Sequence, residues 1–388
     1  MSDRTDHRDP PPLRVLVTHP GASLYGSDRM LLEAVRALVA AGARAVLVVP
    51  QDGPLVAQVR ALGVDVRIRP VPVLRKSALG LRGAVGLLGR SALALARDSA
   101  LLRRLRPDVV YVSTLTTPTW VVLPRLHGVP VVCHVHEAEG RASPLVQRAL
   151  AAPLLAASEL LVNSEYALGL LLRSWPRLRP RASVLLNGVE GPAQPVAVRA
   201  DRDGVLRLLY VGRLSERKGV LVALDALAEV LRGGLDAHLD LVGDVFAEHA
   251  EFGRELSRRL QRPEFAGRVD VHGFDPDVFA HLARCDVLLV PSVLPEPFGN
   301  TAVEGVLAGR PVIASDAGGL PEALAGVASV RLVPAGDVAA TARAIAEVAA
   351  ALPELGDLAL TQAAAAARRF SPQRYRSGIR DHLLAAAR

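Results

Sequence analysis

Leu206-Arg207-Leu208-Leu209-Tyr210-Val211-Gly212-Arg213-Leu214-Ser215-Glu216-Arg217-Lys218-Gly219 is a short apolar run that stops at a glycine and passes, through a charged octet, into the Ala/Leu-rich stretch Val220–Leu231. It reads as strand, turn and helix, and the run is apolar enough on both sides that the strand needs cover on both faces. The same alternation extends along the chain in both directions. Strands are expected at Leu13–Thr18, Arg44–Val49, Val64–Ile68, Asp108–Val112, Val131–Val135 and Glu159–Asn163 in the first half. In the second half they are expected at Leu206–Val211, His238–Val242, Val269–His272, Asp286–Val290, Val312–Ala314 and Ser329–Leu332. Amphipathic stretches such as Arg29–Ala41 and Val278–Ala283 lie between them. One open sheet of this many strands would be unusual. The expectation is therefore α/β, with two doubly wound, Rossmann-like parallel-sheet domains facing a central cleft.

Length and composition agree with two cores. The chain has 388 residues, 50% hydrophobic and 22% charged, which excludes a disordered chain or a disulfide scaffold. Residues 1–12 read as a flexible tail with no apolar signal core. The first domain is expected over 13–187, a Pro/Gly/charged linker over 188–204, and the second domain over 205–365. The tail, 366–388, reads as helices broken at Phe370-Ser371-Pro372 and crossing back to the first domain. Cys133 and Cys285 are far apart with no CxxC, so neither a structural zinc site nor a disulfide framework is expected, and a reducing, cytoplasmic setting is. No uninterrupted apolar stretch is long enough to span a bilayer.

The net charge of +7 is unevenly spread. Residues 1–190 hold 24 Lys/Arg against 14 Asp/Glu, and the remainder holds 22 against 25. Residues 75–106 alone carry eight basic residues and one acid, Asp98. Leu81, Val85, Leu88, Ala92, Leu95 and Leu102 recur there at helical steps, with Arg82, Arg90, Arg97 and Arg104 on another side. Two readings stand: a peripheral helix at the inner face of a membrane or against an anionic acceptor, and a helix packed on the sheet with a solvated basic face. Gly80, Gly83, Gly86 and Gly89 weaken the first. Nucleic acid is not expected, since aromatics at 4% offer no stacking platform.

Two segments carry chemistry. In the octet Gly212–Gly219 the glycines permit a tight turn, and Arg213 and Lys218 bring two cations near a helix start, which suits a diphosphate. Lys218 is one of only two lysines in the chain. The segment is not a P-loop, and an ordinary βα turn with solvated charges is the competing reading. Glu296-Pro297-Phe298-Gly299-Asn300-Thr301-Ala302-Val303-Glu304 follows an expected strand and turns into a helix. Its first amides would face an anion, and its two glutamates can accept from sugar hydroxyls. The competing reading has Glu304 capping its own helix beside Thr301. Asp275-Pro276-Asp277, a DxD, lies before a helix and reads as a cap rather than a metal site.

Together with Gly273-Phe274, Pro291-Ser292, Ala308–Ala314 and Gly318-Gly319-Leu320-Pro321-Glu322, these segments resemble the retaining glycosyltransferases of the glycogen-synthase-like group, family four, which have the GT-B fold. The resemblance covers roughly residues 206–325. It implies that the second domain binds a nucleotide-diphosphate sugar, with Arg213 and Lys218 on the diphosphate. Glu296 would meet the donor sugar and Glu304 the ribose, while Gly212 and the amides of Phe298, Gly299, Asn300 and Thr301 would hold the donor. His136, at the end of a first-domain strand in Cys133-His134-Val135-His136-Glu137, corresponds to a family histidine that touches the sugar. A metal pair of His134 and His136 is the weaker alternative. Gly21, Tyr25 and Gly26 form a loop toward donor or acceptor, although the two glycines are separated here where the family often has them adjacent. The implied activity is retaining, metal-independent glycosyl transfer to a glycan, lipid-linked or small-molecule hydroxyl, without a cofactor. A nucleotide-sugar epimerase and a non-catalytic nucleotide-sugar-binding protein remain the alternatives.

Overall fold

The computed structural model describes residues 11–71, 95–137, 143–199, 204–246 and 249–388. Two parallel sheets are present. The first has seven strands in the order β3-β2-β1-β4-β5-β6-β7: β1 Arg14–Thr18, β2 Arg44–Val49, β3 Asp65–Ile68, β4 Val109–Val112, β5 Val131–Val135, β6 Glu159–Val162 and β7 Ala182–Val184. The second has six in the order β10-β9-β8-β11-β12-β13: β8 Leu206–Val211, β9 Ala237–Val242, β10 Val269–Gly273, β11 Val287–Val290, β12 Val312–Ser315 and β13 Val330–Val333. All twelve expected strands form, within a residue or two of their expected ends. The thirteenth, β7, was not expected. It has three half-buried residues at the sheet edge, too few to show a period.

Alternation along the strands explains why each sheet is sandwiched. In β1, Val15 and Val17 enter one core while Leu16 enters another on the opposite face. In β8, Leu208 and Tyr210 face one way and Leu209 the other. The first sheet is covered on one side by α1 (Gly26–Ala40) and α2 (Pro54–Ala61). On the other side lie α3, whose described part is 95–105, with α4 (Pro118–Leu126) and α6 (Glu165–Ser174); α5 (Pro144–Ala151) packs beside α6. The second sheet is covered by α7 (Val220–Arg232), α8 (Ala250–Leu260) and α12 (Val338–Ala350) on one face. On the other are α9 (Val278–Arg284), α10 (Asn300–Leu307) and α11 (Leu320–Ala323). α13 (Leu352–Arg369) stays with the second domain against α10.

α14 (Pro372–Ala386) crosses back and packs on α1, placing Tyr375, Ile379 and Leu383 in the first domain's core. Gly188, where the chain leaves the first domain, passes so close that an added Cβ would sit 2.7 Å from Cβ of Tyr375. The connection is pinned further by Arg310, which is fully buried and donates to the carbonyls of Val196, Ala197 and Cys285. Burying a guanidinium is tolerable only with acceptors of this kind. In the basic segment, residues 72–94 lie outside the described residues. α3 buries Leu101 and Leu102 and exposes Leu95, Arg97, Arg103 and Arg104. No helix among the described residues is long and apolar enough to cross a membrane.

One glycine fixes the turn after β8. Gly219 has φ +74°, and a Cβ there would fall 1.8 Å from the carbonyl oxygen of Pro291. Gly219→Ala therefore combines left-handed strain with a backbone clash, and is expected to cost at least about 2 kcal/mol. The check is the urea midpoint, which should fall; an unchanged midpoint would show that this turn is free to move.

Candidate active site in the interdomain cleft

The carboxyl ends of both sheets border one cleft of about 420 Å³, lined by Tyr25, Gly26, Arg29, Gly188, Gly212, Phe274, Asn300, Thr301 and Glu304 among others. The domains touch across it. Arg29, on α1, pairs with the buried carboxylate of Glu304 on α10. Asn187 donates to Asn300 at 2.7 Å, and Ser164 donates to the carbonyl of Pro297. Glu322 accepts from the first amides of α6, those of Glu165 and Tyr166. A carboxylate from one domain thus caps a helix of the other. Glu304 faces the cleft and its partner is Arg29, so it does not cap its own helix.

The sequence-predicted residues fall into three groups. Gly212, Asn300, Thr301, Glu304, Tyr25 and Gly26 line the cleft itself. Gly299, at φ +108°, opens α10; its place against Leu320 leaves 2.4 Å for a Cβ. Phe298 differs from the other donor-site candidates, because its ring is buried against Phe370 in the second core. Only its backbone can serve a ligand. Gly21 lies beside Asp28, away from the cleft lining.

Arg213, Lys218 and Glu296 form the second group. Lys218 Nζ donates to Glu296 Oε2 at 2.8 Å, and Ser292 Oγ donates to Oε1 at 3.0 Å. Burial disfavours charge on Glu296, but Lys218, Arg217 and Ser292 outweigh it and hold the carboxyl below its usual range. Arg213 stacks on Phe246, its guanidinium carbon 3.7 Å from the ring centre, and lies 5.4 Å from the ring of Tyr25 across the cleft. Tyr25 in turn packs on Phe246 and Phe274. Asp277 caps α9 through the amide of Ala280, and Asp275 bonds the amide of Asp277 and the ring of His281, so the DxD is used as a cap.

The third group surrounds His136, just past β5. His134 bonds Tyr111 at 2.9 Å and lies against His136 with ring centres 4.1 Å apart. His136 is buried and neither ring nitrogen meets a partner in the protein. Burial, then the neighbouring His19, push its pKa down to about 3 despite Asp28. Burial lowers His134 as well. Asp28 is held by His19 at 2.8 Å, by Ser23 and by the amide of Tyr25. Glu137 bonds Thr114 and the amide of Leu115, and burial raises its pKa above the usual range. Thr18, His19, Ser113, Thr117, His134 and Asn163 also each keep a buried polar atom without a protein partner. All but Thr117, which precedes α4, sit at or just past the carboxyl ends of β1, β4, β5 and β6, so the first domain presents a set of unused hydrogen-bonding atoms there.

Sequence reasoning missed His19, Asp28, Arg29 and Phe246. Position carried the available signal, since His19 directly follows β1 and Asp28 and Arg29 open the next helix. Their partners are distant in sequence and show no period.

A family profile described as "Glycosyl transferases group 1" matches residues 205–351, and one described as "Glycosyltransferase Family 4" matches residues 25–190. A 2-deoxystreptamine N-acetyl-D-glucosaminyltransferase of Streptomyces fradiae is 31% identical over 340 residues, covering 76% of this chain and 77% of that protein. A glycogen synthase of Mycobacterium tuberculosis is 33% identical over 259 residues, 63% of this chain; the match spans 61% of that protein's length. Among solved structures, Anabaena HepE in complex with UDP-glucose superimposes with TM-score 0.81 at 21% identity, covering 96% of this chain and all of that one. Sucrose-phosphate synthase from Thermosynechococcus elongatus gives 0.73 at 19%, covering 96% of this chain and 100% of that one. The two-domain architecture is the GT-B fold.

The depressed histidines set a pH dependence. A group whose folded pKa lies below its unfolded value binds fewer protons when folded, so stability is lost as pH falls below about 6.5. At pH 5, keeping His136 neutral costs about 2 kcal/mol. His136→Asn is expected to lose stability less steeply than the parent between pH 7 and pH 5, as read by thermal unfolding. Identical slopes would mean that the ring takes up its proton without penalty.

Proposed function

The chain belongs to the group 1 glycosyl transferases of family four, and from that premise we propose that it transfers a sugar from a nucleotide-diphosphate donor to an acceptor hydroxyl, with retention and without a metal. The observation that carries the reading is a cleft between two parallel sheets lined by Gly212, which opens the cationic turn, and by Asn300, Thr301 and Glu304 of a helix start; unused polar atoms at the strand ends of the first domain support it. Arg213, Lys218 and the first amides of α10 supply positive potential of the kind a departing diphosphate needs. Glu304 and Glu296 offer acceptors for ribose and sugar hydroxyls, the first after exchanging Arg29 for the ligand. The unpaired nitrogens of His136, neutral at pH 7, suit a sugar hydroxyl.

Asp28 and Glu137, the carboxylates of that neighbourhood, are already engaged by hydrogen bonds within their own domain. This supports attack by the acceptor on the face from which the phosphate leaves, with the phosphate as base, over a covalent intermediate on an enzyme carboxylate. Domain closure about 188–204 would assemble the site. A cytoplasmic setting, with peripheral contact to a membrane or an anionic acceptor through residues 75–106, belongs to the same proposal. Glycan or glycolipid synthesis is the setting that suits it.

Thermal unfolding with UDP, GDP, ADP and dTDP and their sugar conjugates, in EDTA, tests the donor half. One base is expected to stabilise the protein, by about 2.7 kcal/mol at a hundredfold excess over Kd, with the shift lost in Arg213→Ala. Arg213→Ala and Lys218→Ala should each lower turnover roughly 10²-fold or more. Release of free nucleoside diphosphate during turnover marks transfer, whereas isomerised donor without release marks an epimerase. Near-normal turnover in both variants would remove the diphosphate clamp from the proposal.

A further inference from the structure

Outside the cleft, one edge of the second sheet carries chemistry that glycosyl transfer does not use. On β9, Ala237, Leu239 and Leu241 are buried in the core, while His238 and Asp240 point to the opposite face. On the neighbouring edge strand β10, Asp270 and His272 share that face. Strands of a parallel sheet are normally apolar on both faces because helices cover both. Here α9 lies over β8, and the four polar side chains on β9 and β10 stay partly open to solvent. His281 of α9 adds a third imidazole, its ring centre 4.9 Å from that of His272. Three of the chain's ten histidines are therefore gathered at this spot.

The arrangement puts two carboxylates and two imidazoles within bonding reach of one another. Asp240 and Asp270 are register partners on adjacent strands, and like charges directly opposite one another destabilise a sheet. Each carboxylate is answered by an imidazole of the other strand: His238 Nε2 is 3.2 Å from Asp270 Oδ2, and His272 Nε2 is 2.6 Å from Asp240 Oδ1. One ligand atom each from His238, Asp240 and Asp270 lies within 4.8 Å of the others, the one such cluster among the described residues. Zinc bound at about 2.0–2.2 Å to nitrogen and oxygen has its ligand atoms about 3.4 Å apart. The 3.2 Å separation of His238 and Asp270 is already close to such an edge, and the ligand types, imidazole with carboxylate, suit zinc over magnesium.

We propose that His238, Asp240 and Asp270, with His272 in reach through Asp240, form a site for one zinc-type divalent ion that ties the edge strand β10 to β9. None of the four residues lines the cleft, so the site is separate from donor binding and does not rest on the proposed activity. The ion replaces the repulsion of two facing carboxylates with a bridge between strands.

Zinc chloride titrated calorimetrically into the metal-stripped full chain tests this. One equivalent is expected to bind, reversibly with EDTA, with magnesium giving no comparable heat. His238→Ala and Asp270→Asn should each weaken binding about tenfold or more, and His127→Ala, at an exposed histidine of the other domain, should leave it unchanged. Circular dichroism confirms that the surface variants keep the fold. At equal zinc concentration the rise in melting temperature should be larger for the parent than for either cluster variant. Absence of zinc binding, full affinity retained in either cluster variant, or an equal loss in His127→Ala overturns the proposal.

Discussion

A buried carboxylate, Glu296, is the point at which three separate stretches of sequence meet. Its side chain is charged and almost wholly enclosed, a state that requires a cation and a donor in contact. Lys218 from the turn after β8 and Ser292 from the end of β11 supply them. Its backbone pairs with Gly318, and its carbonyl accepts from the amide of Gly319 at 2.7 Å. Gly318 has φ +69°, and a Cβ there would lie 2.3 Å from the Glu296 oxygen. The glycines after β12, the charged turn after β8 and the loop into α10 are thereby held in one arrangement. The helix start and the turn cation come into common register around that carboxylate.

The fold was legible because its determinant is local. Strands covered on both faces carry apolar residues on both sides, and Leu206–Val211, with Leu208 and Tyr210 on one face and Leu209 on the other, announces this within six residues. β7 escaped because three residues carry no period and its cover comes from elsewhere in the chain. The glycine-bounded turns that follow the strands could be read for the same reason, since a turn's chemistry is written in its own residues. The interactions across the cleft are of another kind. Arg29 with Glu304 and Arg213 with Phe246 and Tyr25 join positions dozens to hundreds of residues apart, and either partner alone reads as a solvated charge or a core ring. Phe298 shows the converse: it stands inside a motif, yet its ring belongs to the second core.

The two halves of the cleft are built on different physical principles. The second domain presents charges already neutralised by neighbours, Lys218 by Glu296 and Glu304 by Arg29, so a ligand there exchanges one ionic partner for another. The first domain lines the cleft with the charged Arg29, Glu33 and Arg36, and at its strand ends it holds neutral groups with unused hydrogen-bonding atoms, where burial keeps His134 and His136 unprotonated.

The return of α14 to the first sheet has a consequence for synthesis. Tyr375, Ile379 and Leu383 complete a core whose other walls are formed by residues before 190. On a ribosome adding about 5–20 residues per second, that core waits on the order of ten to forty seconds for its closing wedge, while the whole second domain is made. During that interval the part of α1 that α14 covers stays open, while the rest of its apolar face packs on β1, β2 and α2. A chain cut between the domains would lack that wedge, and the first core would keep an open apolar wall where Tyr375, Ile379 and Leu383 belong.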